Sequence, residues 1–340
     1  MMTGGMSDAP ESQERRALRG TGDMSTTAME TPVGHAVAAA RQGVINRDQS
    51  NGLGWALVTP AVGILLLLTI FPAGYLLWAS FQRFNLMTPE NATFIGLGNY
   101  RNIFTNADIR YSMLVTILFV IAAVGIEFVL GLVLALMLAP KSRSNSAAAT
   151  LLILPMAVTP VVSALVWREL FNPNSGWVNY YLGKIGIMQE PIAWLSSPAT
   201  AWFTIISLDV WQWTPFIALI LMAGLQGIPP EPKEAAAVDG AEGWRLFWDV
   251  VFPLLRPFVA IAVLLRTLEA FKTFGTIRVL TGGGPGISTE IINLTIYRTA
   301  LQDFSVGAAA SLGIAFLLFL SILVPQMLRV LARDSDLVEP

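Results

Sequence analysis

Cysteine is absent from this sequence of 340 residues, and histidine occurs once, as His35. These absences exclude a disulfide framework, a thiolate nucleophile and a zinc site built from cysteine and histidine. Charge is also scarce: 13% of the residues are Asp, Glu, Lys or Arg, whereas soluble domains carry about 25%. The net charge of −2 shows no basic surplus, which argues against a nucleic-acid-binding protein. Hydrophobic residues are abundant, at 54%, and this favours a protein of the lipid bilayer.

Long stretches without charge predict the membrane topology, because a helix that crosses the hydrocarbon needs about 20 largely apolar residues. Residues 49–82, for example, contain no Asp, Glu, Lys or Arg. The chain is therefore predicted to be an all-α membrane protein with a six-span transmembrane domain over residues 53–331. The predicted spans cover about residues 53–80, 112–139, 147–170, 200–225, 253–275 and 305–331.

The segments outside the spans predict the tails and the orientation. Residues 1–52 are rich in Ser, Thr, Gly and Ala without a sustained apolar period, which is typical of a disordered tail. Residues 332–340 are predicted to form a second, short tail. With both tails inside, the inner segments hold nine basic residues in 66 positions, and the outer loops hold seven in 94. Since inner loops carry the excess of Lys and Arg, we expect both termini in the cytoplasm.

The loop between the fourth and fifth predicted spans, residues 226–257, carries the most specific motif. It reads Glu-Ala-Ala, three residues, Gly, nine residues, and then Val-Val-Phe-Pro. This spacing resembles the EAA loop of binding-protein-dependent ABC importer permeases, in which the last four positions are I-x-L-P. Val250 and Phe252 replace the usual Ile and Leu, and both are apolar substitutions that keep the packing face. The resemblance implies that the ATPase-coupling residues are Glu234, Ala235, Ala236, Asp239, Gly240 and Pro253.

The physical chemistry of this loop agrees with a helix–turn–helix on the membrane surface. Three prolines among residues 229–232 favour a helix start, and Gly240 can adopt the left-handed conformation that ends a helix. Trp244, Phe247, Trp248 and Val251 then recur at the spacing of one helical face. The alternative is an amphipathic loop that binds only lipid headgroups, but lipid binding does not explain the spacing of the motif.

Two further motifs narrow the resemblance to sugar-importer permeases of the maltose type. Residues 94–100 resemble the F-x-G-L-x-N-Y/F segment of that group, and residues 281–285 resemble its T-x-G-G-P stretch. The glycines could form an ordinary turn, and they match neither the Walker pattern nor G-x-G-x-x-G. In related permeases a loop at this place reaches towards the solute-binding protein. The resemblance therefore implies a binding-protein-facing loop, made of Gly282, Gly283, Gly284 and Pro285.

Charged side chains inside the predicted spans are the best indication of a cargo pathway. Each would cost about 2.5–3.5 kcal/mol at a helix centre if it faced lipid, so such residues normally line the bundle interior or a wet cavity. Arg266, Glu269 and Lys272 of the fifth span lie at intervals of three, and we expect them to share one face. Carboxylate, guanidinium, amide and indole groups suit the hydroxyls and apolar ring faces of a sugar. The predicted substrate-pathway residues are Asp209, Gln212, Trp213, Phe216, Arg266, Glu269, Ala270, Lys272 and Thr273.

Other interpretations of these residues stay open. Arg266, Glu269 and Lys272 could instead neutralise one another and only hold helices together, and Trp213 could be a core or interface residue. For Glu127, isolated in the second span, a structural role is favoured over contact with cargo. An ion-coupled secondary transporter would also place carboxylates in the bilayer. A permease for another sugar, or for a glycerol-phosphate-type solute, could carry similar motifs.

The resemblance covers residues 53–331 and implies a type I ABC importer permease fold and a transport subunit rather than an enzyme. Residues 210–216 and 266–272 are similar to permeases of actinobacterial disaccharide importers, which points to an α-linked disaccharide such as trehalose. The implied partners are a second, homologous permease in a heterodimer, two ATPase subunits and an extracytoplasmic solute-binding lipoprotein. ATP and Mg would bind to the ATPase subunits, so neither a cofactor nor a metal is expected on this chain. The implied mechanism is alternating access in the cell membrane.

Overall fold

The computed structural model describes residues 47–140 and 142–333. The predicted N-terminal tail lies outside these residues up to position 46, and the predicted C-terminal tail lies outside them from position 334. The chain divides into two units, Met1–Phe71 and Pro72–Pro340. Among the described residues, the first unit holds most of the first helix, and the second unit holds every later element.

The described backbone is mainly helical. A 3₁₀ turn lies at Pro89–Asn91, and a π-helical turn lies at Phe247–Val251. The other elements, in chain order, are α1 (Arg47–Ser80), β1 (Gln82–Arg83), β2 (Thr93–Phe94), α2 (Gly98–Thr105), α3 (Ala107–Leu138), α4 (Arg143–Leu152), α5 (Leu154–Ala157), α6 (Pro160–Leu170), α7 (Trp177–Lys184), α8 (Pro198–Gly227), α9 (Glu231–Val238), α10 (Gly243–Leu246), α11 (Phe252–Phe271), α12 (Gly275–Leu280), α13 (Ile292–Leu301) and α14 (Val306–Arg333).

Five helical segments in the described part of the chain are long and apolar enough to cross a membrane. They overlap the first, second, fourth, fifth and sixth predicted spans. The five segments are Val58–Ser80, Ala107–Leu138, Pro198–Gly227, Gly243–Phe271 and Val306–Arg329.

The third predicted span, residues 147–170, is divided in the structure. Two helical segments, Arg143–Ala157 and Pro160–Leu170, meet at 91° and supply a sixth span if they are counted together. The break lies at Val158 and Thr159, whose backbones are extended. Proline disfavours helical geometry in the residue before it, which explains why the helix stops ahead of Pro160.

The membrane-spanning core of the second unit is built around the contact between α3 and α8. Gly131 of α3 lies where an added Cβ would come 2.9 Å from the side chain of Ile217 on α8. Such small residues let helix backbones approach closely within a membrane. Ile217, Leu221 and Leu255 are fully buried in one of the two hydrophobic clusters that this packing creates, and the fourth and fifth spans are thereby held together.

The motif at residues 94–100 has a structural role where α1 ends. The Asn99 side chain donates hydrogen bonds to the carbonyls of Ser80 and Gln82, both at 2.8 Å. The hydroxyl of Tyr100 lies 2.7 Å from the Ser80 hydroxyl. Gly96 has φ +55°, a left-handed conformation that favours glycine. The motif therefore ties the loop after the first span to the end of that span.

Candidate functional site: the connecting loop and the charged cavity

The helix–turn–helix of the predicted coupling loop is present in the structure. Helix α9 begins after Pro230 and holds the three predicted coupling residues of positions 234–236. It ends as expected from the sequence, because Gly240 has φ +78° and the Ala241 amide donates to the Ala236 carbonyl at 2.9 Å. Asp239 is the residue that caps the helix. Among these residues, only Ala236 is partly covered; Glu234, Asp239 and Gly240 are exposed.

The second half of the loop joins the fifth span without a break. The helical segment Gly243–Phe271 contains the π-helical turn, which ends two residues before Pro253. Pro253 has no N–H to donate to the carbonyl four residues earlier, and its ring would clash with that carbonyl in a regular helix. The wider turn relieves this conflict. Pro253 therefore shapes the junction between the loop and the span.

The loop presents apolar side chains outward and is anchored on its inner side. Trp244 is 75% exposed and Val238 is 88% exposed. The predicted aromatic face is real, since the ring centroids of Trp244 and Trp248 lie 5.5 Å apart. Val251, by contrast, is buried in the cluster with Leu255. An exposed apolar surface next to exposed carboxylates, on a segment fixed to the core, is suited to contact with another protein.

Five charged residues near the middle and the end of the second, fourth and fifth spans form two separate groups. Arg266 is 1% exposed, and its guanidinium donates to both oxygens of Glu127, from Nε at 2.6 Å and from Nη2 at 2.8 Å. Nη2 also bonds to the Asp209 carboxylate. One guanidinium thus joins the second, fourth and fifth spans. Removal of the guanidinium would leave two buried carboxylates without compensation, which costs about 3–5 kcal/mol, whereas removal of Glu127 leaves Arg266 paired with Asp209.

The second group, Glu269 and Lys272, is exposed. Their side chains are 44% and 61% exposed and form an ion pair at 2.5 Å. The expectation that Arg266, Glu269 and Lys272 share one face is not met. Each step of three residues turns a helix back by about 60°, so Lys272 lies about 120° from Arg266 around the axis. Arg266 therefore pairs with residues of other spans, whereas Glu269 and Lys272 pair with each other.

A cavity of about 170 Å³ collects much of the predicted pathway. Asp209 and Trp213 come from α8, and Glu269 comes from α11. The Arg266 guanidinium carbon lies 5.3 Å from the centroid of the Trp213 ring, in a cation–π contact behind the cavity wall. The lining residues are Pro160, Asp209, Trp213, Glu269, Lys272, Thr273, Phe274, Gly275 and Thr276.

The other predicted pathway residues lie outside this cavity. Gln212 is buried, and its amide donates to the Val158 carbonyl at 2.7 Å, at the break in the third span. Ala270 is buried in the larger hydrophobic cluster. Phe216 packs edge-on against Trp213, with centroids 6.3 Å apart. Of these three residues, Phe216 supports the cavity wall directly, through its contact with Trp213.

The glycine segment over residues 281–285 is a compact, hydrogen-bonded turn. Gly282 and Gly283 have φ +59° and +94°, which only glycine adopts without strain. The buried Thr289 hydroxyl donates to the Gly284 carbonyl at 2.8 Å. Arg298 bonds to the Gly282 carbonyl and to Glu290. The turn is therefore fixed to α13, and Pro285 follows Gly284 through a cis peptide bond.

Sequence reasoning missed the partnership of Glu127 with Arg266 and the contribution of residues 274–276 and Pro160 to the cavity. The sequence does contain a signal for the pairing of Glu127 with Arg266. Glu127 and Asp209 are isolated acidic residues of the second and fourth predicted spans, and Arg266 is the basic residue nearest the middle of the fifth. Since buried charges must be paired, these three could have been matched from the charge pattern. No such signal existed for Pro160, which begins α6, or for residues 274–276, which follow the end of α11.

Comparisons with known proteins agree with this architecture. The trehalose/maltose transport permease MalF of Thermococcus litoralis is 37% identical over 79% of this chain and 90% of its own length. The trehalose transport permease SugA of Mycobacterium tuberculosis is 34% identical over 79% of this chain and 85% of its own. A solved bacterial ABC transporter involved in alginate import has a chain with TM-score 0.70 at 21% identity, covering 86% of this chain and 98% of that one.

These likenesses confirm the predicted fold and the predicted relationship to maltose-type and mycobacterial trehalose permeases. The structural likeness shows that the helices are arranged as in an ABC importer permease chain. The matching family is an inner membrane component, and together with the apolar helices this makes the chain a multi-pass membrane protein. Residues 127–335 match the family described as the binding-protein-dependent transport system inner membrane component, and the chain belongs to that family.

Proposed function

We propose that this chain is the permease subunit of an ATP-driven sugar importer and that its cargo is an α-linked disaccharide such as trehalose. The cavity carries the proposal. The Trp213 ring offers an apolar face to a sugar ring, and Asp209, Glu269 and Lys272 offer acceptors and donors to its hydroxyls. Two relatives whose names include trehalose support this cargo class.

The cavity is proposed to be half of the cargo site. Its volume of about 170 Å³ is below the range of about 300–1,000 Å³ that is usual for small-molecule sites. A second, homologous permease subunit would complete it. In this arrangement, Glu269 and Lys272 face the partner subunit and the cargo, which accounts for two charged side chains that stay exposed in a segment of membrane helix.

The connecting loop is proposed to be the site of energy transfer. Two ATPase subunits, which bind ATP and Mg, would close upon each other and displace α9 through contacts at Glu234 and Asp239. Because Val251 and Leu255 are buried in one cluster with residues of α8, displacement of the loop acts directly on the fourth and fifth spans. These spans carry the cavity, so the cavity can switch its opening between the two sides of the membrane by alternating access.

Both termini and the connecting loop are proposed to be cytoplasmic, and the glycine turn is proposed to face the binding protein outside. The bias of Lys and Arg towards the inner segments supports this orientation. A binding protein that docks outside would receive a rigid turn at Gly282–Pro285, because Arg298 and Thr289 hold it in place. Because the turn is already held in place, docking of the binding protein would not have to order it first.

Reconstitution tests the proposal. The chain is assembled in vesicles with its candidate permease partner, ATPase and binding protein, and ATP hydrolysis is measured with trehalose, maltose, sucrose, lactose and glycerol 3-phosphate. We expect stimulation by trehalose above the other solutes. Stimulation by glycerol 3-phosphate alone would reject the sugar, and uptake that an ionophore abolishes while the ATPase is absent would favour an ion-coupled carrier.

A further inference from the structure

Arg266 contacts two residues of the cavity wall although it does not line the cavity itself. Its guanidinium bonds to the Asp209 carboxylate and lies against the face of the Trp213 ring. On its other side, it is held by both oxygens of Glu127, which is fully buried and also outside the cavity. The wall that would face a sugar is therefore fixed from behind by two charged residues that no solute touches.

We propose that Glu127 and Arg266 are positioning residues that set the cargo affinity of the cavity by fixing Asp209 and Trp213. This inference rests on the function proposed above and adds the part of the site that tunes it. Glu127 anchors the guanidinium, and the guanidinium then orients one hydrogen-bonding group and one aromatic face. Both of these groups are needed to select a sugar by its hydroxyls and its ring face.

The geometry explains why this position suits arginine rather than lysine. The planar guanidinium presents several N–H donors in a fixed fork, so Nε and Nη2 can meet Glu127 while Nη2 also meets Asp209. The same plane lies over the indole of Trp213. A lysine ammonium is a point charge and cannot satisfy these three directions together. The conservative variant Arg266→Lys therefore keeps the charge and removes the positioning.

The charge balance of Glu127, Asp209 and Arg266 also supports a positioning role for Glu127. Two carboxylates share one guanidinium, and Glu127 receives the two-pronged contact. A neutral amide at residue 127 would release Arg266 from its anchor and leave it to follow Asp209 alone. The Trp213 ring would then lose the fixed cation behind it. The cavity would keep its residues but lose their arrangement, which is a change of affinity rather than of assembly.

The experiment compares Glu127→Gln with the wild type in the reconstituted complex with trehalose. We expect the KM for sugar-dependent transport to rise at least tenfold, while the hydrolysis rate at saturating sugar and the yield of assembled complex change less than twofold. Glu127→Asp, which keeps the carboxylate on a shorter side chain, should have a KM between those of Glu127→Gln and the wild type. Thr214→Val serves as a matched control, since the buried Thr214 hydroxyl on the same helix as Trp213 makes no hydrogen bond within the described residues and lies outside the cavity.

An unchanged KM in Glu127→Gln would overturn the inference, and so would a loss of assembled complex with the KM of the remaining fraction unchanged. If Glu127→Gln does not assemble at all, Arg266→Lys decides by the same measurement. The two proposals fail separately. A wild-type complex that no sugar stimulates rejects the proposed function, whereas a wild type that responds alongside a variant with the same KM rejects only the positioning role.

Discussion

The fifth span carries charges in two different environments, although Arg266 and Glu269 are only three residues apart. Arg266 is buried among helices and paired with Glu127 and Asp209, whereas Glu269 and Lys272 are exposed and pair with each other. A buried charge without its partner is costly, and an exposed one is not. The comparison therefore separates residues on which stability depends from residues that are free to serve a moving cargo.

The largest effect is expected from Arg266→Leu, which removes the cation of the buried group. Glu127 and Asp209 would then be buried near each other without compensation, at a cost of about 3–5 kcal/mol. We expect a lower yield of monodisperse protein and an unfolding temperature far below that of the wild type in detergent. The combined variant Glu127→Gln/Asp209→Asn/Arg266→Met, which removes all three charges, should regain most of the lost stability. Equal unfolding temperatures for wild type and Arg266→Leu would contradict the description of the group.

Glu234 belongs to the exposed charges, so Glu234→Lys should abolish function and leave stability unchanged. Residue 234 is exposed on α9, and reversal of its charge should disrupt contact with the ATPase subunits. We expect sugar-stimulated ATP hydrolysis to fall at least tenfold in the reconstituted complex while the chain still inserts and unfolds as the wild type does. Glu90→Gln, in the exposed 3₁₀ turn, is the control. Normal stimulated hydrolysis in the Glu234 variant would reject the coupling role.

Glu269→Ala sharpens the comparison within the fifth span itself. Its ion pair with Lys272 is exposed, so its loss should change the free energy of unfolding by less than about 1 kcal/mol. Transport should nevertheless weaken, and co-purification of the ATPase subunits should be retained. Transport at the wild-type rate and KM would indicate that the pair only braces the helix end.

The smallest effect is expected at Arg245 and Asp249, an ion pair of the connecting loop whose side chains are 74% and 60% exposed. Replacing Asp249 by Asn should change the free energy of unfolding by no more than about 0.5 kcal/mol, because exposed pairs at this spacing contribute little. Thermal unfolding measured at low and at high salt checks this. A large, salt-insensitive loss would mean that the pair is far more important to the fold than its exposure indicates.

The sequence predicts local features of this structure better than contacts between residues far apart in the chain. The turn at Gly240 and the aromatic face at Trp244 are local features, set by residues within one or two helical turns, and both were predicted. The partnership of Glu127 with Arg266 joins residues 139 positions apart. Helical spacing alone cannot supply it, and spacing misled where it grouped Arg266 with Lys272.

The third span shows the same limit. Its composition indicates one apolar helix, and although Pro160 permits a break at that point, prolines are also tolerated within membrane helices, so the sequence alone does not predict a bend of 91°. The break requires a donor for the Val158 carbonyl, and that donor is the Gln212 amide from another span. The bend is thus stabilised by a residue about fifty positions away, which was predicted as a cargo ligand.

This hydrogen bond has a consequence for how the bundle can open. Buried backbone carbonyls need a hydrogen-bond donor, so movement of α8 away from Val158 would require another donor for that carbonyl. One hydrogen bond therefore links the position of α8 to the bend of the third span and to Pro160, which lines the cavity.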